Sequence, residues 1–256
     1  MKTLLLRWLR LGLAVIAMTV MSLLMVPIFV AASLVTSSGT LTYRLSLVWA
    51  WVVAKILGVS YSLRNGEKVT PGQSYIVVPN HQSHTDILAL LLTLPVQYRW
   101  VVKKELVKIP VFGWGLALTG AIVLDRSNPE QARQKLQNGS SKAAGGWSIL
   151  IYPEGTRSPD GELLPFKKGP FMLAVNAGLP LLPVTVNGAH RILPKKTLAL
   201  NPGHITVTVS DPIPTEGLAK KDVPDLLRQT KAAIEAHLDP TYDPFASRNG
   251  TPRLKS

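Results

Sequence analysis

The sequence predicts an α/β fold, in which one domain with a mostly parallel or mixed sheet flanked by helices follows an N-terminal membrane-embedded helical hairpin. Two observations predict this. Beyond residue 60, short apolar runs alternate with stretches of helical periodicity. Before residue 60, long apolar stretches carry almost no charge. We therefore predict a hairpin over residues 1–60, a domain over residues 61–238, and a poorly ordered tail over residues 239–256 that is rich in Pro, Ser, Arg and Gly.

The N-terminal segment is long and apolar enough to enter a bilayer. No charged residue occurs between Leu11 and Tyr43, and a spanning helix requires about 20 apolar residues. A second apolar stretch, Leu45–Val59, carries tryptophans that suit the headgroup level. A break at residues 37–39 would join the two stretches as a hairpin that leaves both of its ends on one side of the membrane. A single span and a cleaved signal peptide are the alternatives.

The domain is expected to contain six strands and five helices, because apolar runs and amphipathic stretches alternate between loops that often carry Gly or Pro. The predicted strands are Ser74–Val78, Arg99–Lys103, Ala121–Leu124, Ser148–Ile151, Leu181–Val186 and Ile205–Val209. The predicted helices are Asp86–Leu94, Phe112–Thr119, Pro129–Asn138, Gly169–Ala177 and Val223–His237.

The amino-acid composition limits which reactions and ligands the chain can support. The chain has no cysteine, which excludes disulfides and a cysteine nucleophile. It has 28 Lys and Arg against 15 Asp and Glu, for a net charge of +13. Such a charge suits anionic lipid, a phosphorylated substrate or nucleic acid, but also a generally basic surface. No nucleic-acid-binding motif occurs, so we expect no nucleic-acid partner.

The most informative residues are His81 and Asp86, which fall between a predicted strand and a predicted helix. A loop at such a junction can fold the carboxylate back onto the imidazole. One ring nitrogen then binds the carboxylate while the other is available to take a proton. His84 lies closer to Asp86 and competes for the role of base, and Ser83 is a conceivable nucleophile. No third ligand follows at zinc-like spacing, so we predict no metal.

Two further loops follow predicted strands. The run from Gly120 ends in Asp125 and Arg126, which on its own is typical of a surface ion pair. The run Tyr152–Ser158 combines Pro, Glu, Gly, Thr and Arg. Arginine, threonine and exposed backbone N–H groups form good phosphate cradles. A turn with an internal Glu154–Arg157 pair is the structural alternative.

Taken together, these runs resemble the four ordered motifs of the glycerolipid acyltransferases, and most closely those of bacterial 1-acylglycerol-3-phosphate acyltransferases. The resemblance extends over residues 74–187 and is carried by runs that begin at Asn80, Gly120, Pro153 and Leu179. Each motif alone is weak, whereas all four in order are specific. The chain departs from the family at Tyr152, where phenylalanine is common, and at Leu124, where isoleucine is usual.

The resemblance implies a role for each matching residue. His81 would be the general base and Asp86 its orienting partner. Lys103, with Lys104 as a competitor, would face the phosphate of the substrate. The other implied phosphate-binding residues are Arg126, Glu154, Gly155, Thr156 and Arg157.

The implied activity transfers a fatty acyl group from acyl-CoA or acyl carrier protein to the sn-2 hydroxyl of 1-acylglycerol-3-phosphate, with no cofactor. The enzyme would lie in a bacterial inner membrane, with its acyltransferase domain on the cytoplasmic face. Another lysophospholipid or lyso-lipid could be the acceptor instead. A membrane protein that binds anionic lipid without catalysis is the alternative from a different class.

Overall fold

The computed structural model describes residues 2–35, 39–110, 112–125, 130–131, 134–135, 146–195, 197, 200–239 and 241–244, with the backbone alone at residues 2–11 and 112. Arg126 and most of the predicted helix at residues 129–138 lie outside this part of the chain.

One mixed sheet forms the centre of the molecule. Its strands are β1 (Val59–Arg64), β2 (Ile76–Pro79), β3 (Tyr98–Lys103), β4 (Ile122–Leu124), β5 (Ser148–Leu150), β6 (Leu181–Asn187) and β7 (Gly203–Val209). Their order across the sheet is β1-β7-β6-β2-β5-β3-β4. All neighbours are parallel except β6 and β7, which are antiparallel. The predicted α/β fold with a mostly parallel, mixed sheet is therefore confirmed.

Strand β1 is an element that the sequence analysis missed. Val59 had been assigned to the end of an apolar helical stretch, but α2 ends at Leu57 and Gly58 follows in the left-handed conformation. The next residues alternate between apolar Val59, Tyr61 and Leu63 and polar serines. This period of two is the pattern of a half-buried strand and was the available signal.

Helices cover both faces of the sheet. After α1 (Lys2–Val35) and α2 (Thr40–Leu57) come α3 (Asp86–Thr93), α4 (Lys104–Val107), α5 (Phe112–Leu118), α6 (Gly169–Ala177), α7 (Ala189–Ile192) and α8 (Val223–Glu235). Helices α2 and α3 pack over one face, and α6 and α8 cover the other. Val77 packs in the hydrophobic core on the α2 and α3 side of the sheet, whereas Ile76 and Val78 pack in the core on the α6 and α8 side. This is expected for a strand that is buried on both faces.

Helices α1 and α2 pack against each other as the predicted hairpin. The Trp49 Nε1–H donates to Ser22 Oγ across their interface at 3.1 Å. Helix α1 continues through Pro27 without a break. Two segments, Gly12–Val35 and Thr40–Leu57, are long and apolar enough to cross a bilayer, by length and composition alone.

The first residues of the predicted poorly ordered tail pack against the sheet. Tyr242 is buried, and its hydroxyl contacts Thr206 Oγ1 of β7 at 3.0 Å. His204 N–H also donates to the carbonyl of Pro244 at 2.8 Å. Residues 241–244 therefore pack against the sheet, because an apolar ring and backbone hydrogen bonds offset the entropy of ordering them. Residues 245–256 lie outside the described part of the chain.

The sheet brings the candidate site residues to one edge. Strands β2, β5 and β3 are adjacent and parallel, so their carboxyl ends meet at the same edge. His81 follows β2, the loop of Glu154 and Arg157 follows β5, and Lys103 ends β3. The ends of such strands are where open α/β sheets bind their ligands.

Candidate active site

His81 and Asp86 form a direct pair at the start of α3. The imidazole Nδ1 lies 2.8 Å from Asp86 Oδ2. The Asp86 side chain is completely buried, whereas 15% of the His81 side chain is exposed. Asp86 therefore acts only through His81, and the imidazole Nε2 is the atom left to meet a substrate. The predicted folding back of the carboxylate onto the ring is confirmed.

The carboxylate of Asp86 is fixed by the loop that it follows. Its Oδ2 also accepts the backbone N–H of Gln82 at 2.7 Å and that of Ser83 at 2.9 Å. Asp86 is the first residue of α3, where the helix dipole favours a negative charge. These two N–H groups hold the carboxylate in position against Nδ1 of His81.

Asn80 attaches the start of this loop to the sheet. Its side-chain amide donates to the carbonyl of Val186 at 3.0 Å, and its Oδ1 accepts the Val186 N–H at 2.7 Å. This paired contact extends the β2–β6 ladder by one side chain. Asn80 thereby fixes the point from which His81 leaves the strand.

Glu154 braces the backbone of His81, while its predicted contact with phosphate stays a prediction. Its Oε1 accepts the His81 N–H at 2.7 Å, and its Oε2 accepts the Leu164 N–H at 3.0 Å. The side chain is buried at 3% exposure, and burial raises the pKa of Glu154 to about 7. A buried carboxylate with both oxygens occupied would repel a phosphate. The structural alternative was an ion pair between Glu154 and Arg157 within the turn. The described contacts of the Glu154 carboxylate are with backbone N–H groups instead.

The loop after β5 holds His81 from its other side as well. Ser158 N–H donates to the His81 carbonyl at 2.7 Å, so the Glu154–Ser158 loop binds both backbone polar groups of the histidine. Gly155 adopts a φ of 70°, a left-handed conformation that a side chain would strain. The glycine therefore lets this loop turn back within reach of His81.

Tyr152 fixes the plane of the imidazole. The two rings stack with centroids 3.7 Å apart and planes inclined by 14°. Burial raises the pKa of the Tyr152 hydroxyl, so the phenol stays neutral. The tyrosine that replaces the usual phenylalanine therefore keeps the aromatic face against His81.

A single cavity of about 320 Å³ joins the polar residues to an apolar chamber. Its polar rim is lined by His81, His84, Lys103, Gly155, Thr156 and Arg157. Its apolar chamber is lined by residues of α1, α2, α3 and α5, including Met25, Val26, Phe29, Trp49, Leu91 and Leu116. The cavity thus offers an anionic headgroup and an aliphatic chain separate environments beside one imidazole.

The two candidate lysines differ in their position relative to the cavity rim. Lys103 lines the cavity and is exposed. Lys104 instead forms an ion pair with Asp125, at the end of β4. The surface pair of Asp125 with Arg126 stays a prediction, because Arg126 lies outside the described residues. The preference for Lys103 as the lysine facing the site agrees with this geometry.

The two competitors near His81 have different environments. His84 lines the cavity, and burial together with the Arg157 charge lowers its pKa. No hydrogen bond between His84 and Asp86 is present, whereas His81 makes one. The Ser83 hydroxyl is buried and donates to the Leu193 carbonyl at 2.8 Å, away from the imidazole. Ser83 therefore has a structural environment and not that of a nucleophile.

Comparisons with known proteins agree with this site. A family model described as Acyltransferase matches residues 61–187. A 1-acyl-sn-glycerol-3-phosphate acyltransferase of Pseudomonas aeruginosa is 36% identical over 187 residues, which are 72% of this chain and 71% of that protein. An uncharacterized acyltransferase of Schizosaccharomyces pombe is 34% identical over 75% of this chain and 70% of its own length. This chain belongs to the acyltransferase family.

Other matches support the family and the fold of this acyltransferase. The human 1-acyl-sn-glycerol-3-phosphate acyltransferase alpha is 34% identical over 70% of the chain and 64% of its own length. The crystal structure of the 1-acyl-sn-glycerophosphate (LPA) acyltransferase PlsC from Thermotoga maritima superposes with a TM-score of 0.74 at 24% identity. That match covers 91% of this chain and 96% of the other, so the two proteins share their fold over most of their length.

The acyltransferase site includes a segment that the sequence analysis did not single out. Lys195 Nζ donates to the Arg157 carbonyl at 2.6 Å and to Thr156 Oγ1 at 3.3 Å. Leu193, two residues earlier, accepts the Ser83 hydroxyl. The segment after α7 therefore contacts both loops of the site. It lies beyond residue 187, where the family motifs end, and a lysine in a basic loop carries no sequence signal of its own.

Within the described ranges, no group of three or more His, Asp or Glu residues is placed to hold a metal ion. His81 and Asp86 bind each other instead.

Proposed function

We propose that this acyltransferase is a 1-acylglycerol-3-phosphate O-acyltransferase, which moves a fatty acyl group from acyl-CoA or acyl carrier protein to the sn-2 hydroxyl and yields phosphatidic acid. The observation that carries the proposal is the position of the His81–Asp86 pair between a cationic rim and an apolar chamber. The names of the relatives from Pseudomonas aeruginosa and human point to the same acceptor.

In the proposed mechanism, His81 is the general base. Asp86 binds the Nδ1–H, so Nε2 accepts the proton of the sn-2 hydroxyl as its oxygen attacks the thioester carbonyl. The C–O bond forms, the C–S bond breaks, and the imidazolium returns the proton to the departing thiolate. The chain has no cysteine and Ser83 is engaged elsewhere, so the substrate's own hydroxyl is the nucleophile.

The acceptor phosphate would bind at the cationic rim. Lys103 and Arg157 supply charge there, and Gly155 and Thr156 supply backbone and hydroxyl groups. Charge-assisted hydrogen bonds from arginine are among the strongest contacts to phosphate. By its motif position, Arg126 is proposed to join them. Glu154 contributes indirectly, because it holds the His81 backbone.

The hairpin of α1 and α2 would anchor the enzyme to the bilayer. Many apolar side chains of α1 are exposed, among them Leu13, Ile16, Leu24 and Leu34. Such a surface is stable in lipid and unstable in water. We place the anchor in a bacterial inner membrane with the site on the cytoplasmic side, where acyl thioesters and lysophosphatidate would meet. We propose no cofactor and no metal.

A thiol-release assay tests the function. Purified full-length protein in micelles would receive oleoyl-CoA and a panel of lyso-lipids that includes lysophosphatidate and lysophosphatidylethanolamine. We expect the fastest thiol release with lysophosphatidate, unchanged after treatment with a chelator. A faster reaction with another lyso-lipid would assign a remodelling acyltransferase, and binding of anionic vesicles without thiol release would contradict catalysis. Exchanging oleoyl-CoA for oleoyl carrier protein identifies the donor.

A further inference from the structure

Helix α5 exposes an apolar surface outside the N-terminal hairpin. Trp114 is 56% exposed, and Ile109, just before the helix, is 46% exposed. The sequence of α5, Phe112–Leu118, contains no charged or hydrogen-bonding side chain other than the indole. A helix that is apolar on all sides is normally buried on all sides. The exposed side of α5 therefore requires a partner.

The opposite side of α5 is part of the active site. Gly115, Leu116 and Thr119 line the chamber, and at 100° per residue Trp114 points away from their common direction. Helix α5 packs against α1, which lines the same chamber with Met25 and Phe29. Both helices therefore separate the chamber from whatever covers their outer faces.

Helix α1, which packs against α5, also exposes apolar side chains. On α1, Leu24 is 65% exposed and Ile28 is 47% exposed, in the stretch whose other side lines the chamber beside α5. The occupant of one face is therefore expected to cover the other. On α1 that occupant is the bilayer, under the proposed function.

The side chains around α5 fit the interfacial layer of a membrane more than its hydrocarbon core. Tryptophan is enriched at the headgroup level, where its ring is apolar and its N–H is solvated. Lys108, next to Ile109, is exposed and long enough to reach lipid phosphates while its stem lies on apolar surface. Lys103, also exposed, adds a second cation at the cavity rim. Cationic and aromatic residues together are typical of segments that lie on anionic membranes.

We propose that Lys108, Ile109 and Trp114, here called the α5 surface, form a second membrane contact that inserts into the headgroup layer of the same bilayer as the hairpin. This inference rests on the proposed membrane association. It assigns α5 a double role, because one side walls the acyl chamber and the other meets lipid. The chamber would then be separated from the bilayer by a single layer of side chains.

The absence of cysteine from the chain allows a direct test. Ile109→Cys and Trp114→Cys would each be labelled with a polarity-sensitive fluorophore in the full-length protein. The protein would be reconstituted in phosphatidylglycerol-containing vesicles that carry a headgroup-level quencher. Leu24→Cys on α1 is the positive control. Leu218→Cys is the negative control, because Leu218 is 37% exposed and bonds through its N–H to Thr215, whose hydroxyl contacts Ala174 of α6 on the opposite face of the sheet.

We expect probes at residues 109 and 114 to emit at shorter wavelength and to be quenched at least about twofold more than the probe at residue 218. If residue 24 is quenched but 109 and 114 behave like 218, the inference is wrong and anchoring by the hairpin stands. If residue 24 is not quenched either, the membrane part of the proposed function also fails. Retained thiol release with lysophosphatidate would show separately that the catalytic assignment holds.

A second copy of the chain is the competing occupant. Pyrene at Trp114→Cys would give excimer emission that rises with the protein-to-lipid ratio if two α5 surfaces face each other. That result without quenching at residue 109 would overturn the proposal. Because Ile109 precedes the helix and is nearly half exposed, the Ile109→Cys variant keeps the test valid even if Trp114→Cys fails to fold.

Discussion

The two ends of the active-site cavity are built by different means. At the polar rim, hydrogen bonds fix the backbone of His81 from both directions, through Glu154 and Ser158. At the apolar chamber, the lining side chains of α1, α2 and α5 are mostly apolar, and a hydrogen bond from Trp49 to Ser22 joins the first two helices. The loops of the rim hold one another in place through hydrogen bonds. The chamber is instead defined by the size and shape of the space that its side chains leave.

This difference matches the demands of the proposed reaction. Proton transfer requires reacting atoms to be placed to within a fraction of an ångström, because misplacement by about 1 Å can cost about a hundredfold in rate. An aliphatic chain requires only removal from water, which depends on buried area. Substitutions at the rim should therefore affect rate or headgroup affinity, and substitutions in the chamber should affect chain selection.

The largest effect is expected at the base. His81→Ala should lower kcat by about 10²–10⁴-fold, because the sn-2 hydroxyl loses its proton acceptor. His84→Ala is the matched control, since it lines the same rim without contacting Asp86, and its kcat should change by less than about tenfold. Thiol-release kinetics at equal protein concentration measure both. A reversed order of the two variants would assign the base to His84.

A smaller effect, confined to acceptor affinity, is expected at Arg157. Arg157→Met should raise the KM for lysophosphatidate by about 10- to 100-fold, because a charge-assisted contact to phosphate is lost. Lys168→Met removes an equal charge at an exposed position outside the cavity and should leave KM unchanged. An Arg157 variant with normal KM and lowered thermal stability would indicate a structural role.

The chamber should respond to volume. An added Cβ at Gly115 meets no atom within 4 Å, so Gly115→Leu can extend into the cavity without a backbone clash. We expect kcat/KM for an oleoyl donor to fall about tenfold, while that for an octanoyl donor stays unchanged. Ala117→Leu, exposed on the same helix, serves as the control. Equal losses for both donors would mean that the chamber does not hold the acyl chain.

Substitutions at Lys195 test whether the residues that contact the rim loops affect the affinity for the acceptor. Lys195→Met removes the donor to the Arg157 carbonyl and should raise the KM for lysophosphatidate by about 3- to 10-fold. Lys195→Arg should recover part of that affinity, and Lys220→Met, far from the cavity on the surface, should have no effect. A fall in kcat at constant KM would show that Lys195 does not act through Arg157.

The smallest expected effect concerns pH and Glu154. Burial raises its pKa from 4.5 to about 7, so between these values the folded state binds more protons than the unfolded state. This contribution to stability is complete below about pH 4.5 and is lost as pH rises through about 7. The Tm of the wild type, measured in micelles, should therefore fall relative to that of Glu154→Gln between pH 5 and 8. Parallel Tm profiles for the two proteins would contradict this.

Much of the fold and the centre of the site could be predicted from sequence. The alternation of apolar runs placed the predicted strands that the structure describes to within about two residues, since local periodicity determines which face each residue presents. The His81–Asp86 contact was predictable because the two residues are close along the chain and flank a helix start. Both predictions, the strand positions and the His81–Asp86 contact, depend on residues that are close together in the sequence.

The roles of more distant residues were not predictable in the same way. Glu154 is 73 residues from His81, and its charge suggested a ligand contact when its actual partners are backbone N–H groups. Lys195 binds the carbonyl of Arg157, a group that every residue possesses. A hydrogen bond to the main chain does not depend on the residue type of the partner. The sequence therefore gives no signal for such a contact, and only the folded structure shows it.

The parallel pairing of β2 with β5 has a consequence for how the site forms. Ile76 lies opposite Ile149, and Val77 opposite Leu150, and this register aligns the His81 N–H with Glu154. A slip of one residue would turn each side chain to the other face of the sheet and separate the two loops. Long-range pairings of this kind are the slow contacts in folding. We therefore expect catalytic competence to appear with the final alignment of the sheet, so that partly folded chains at the membrane remain inert.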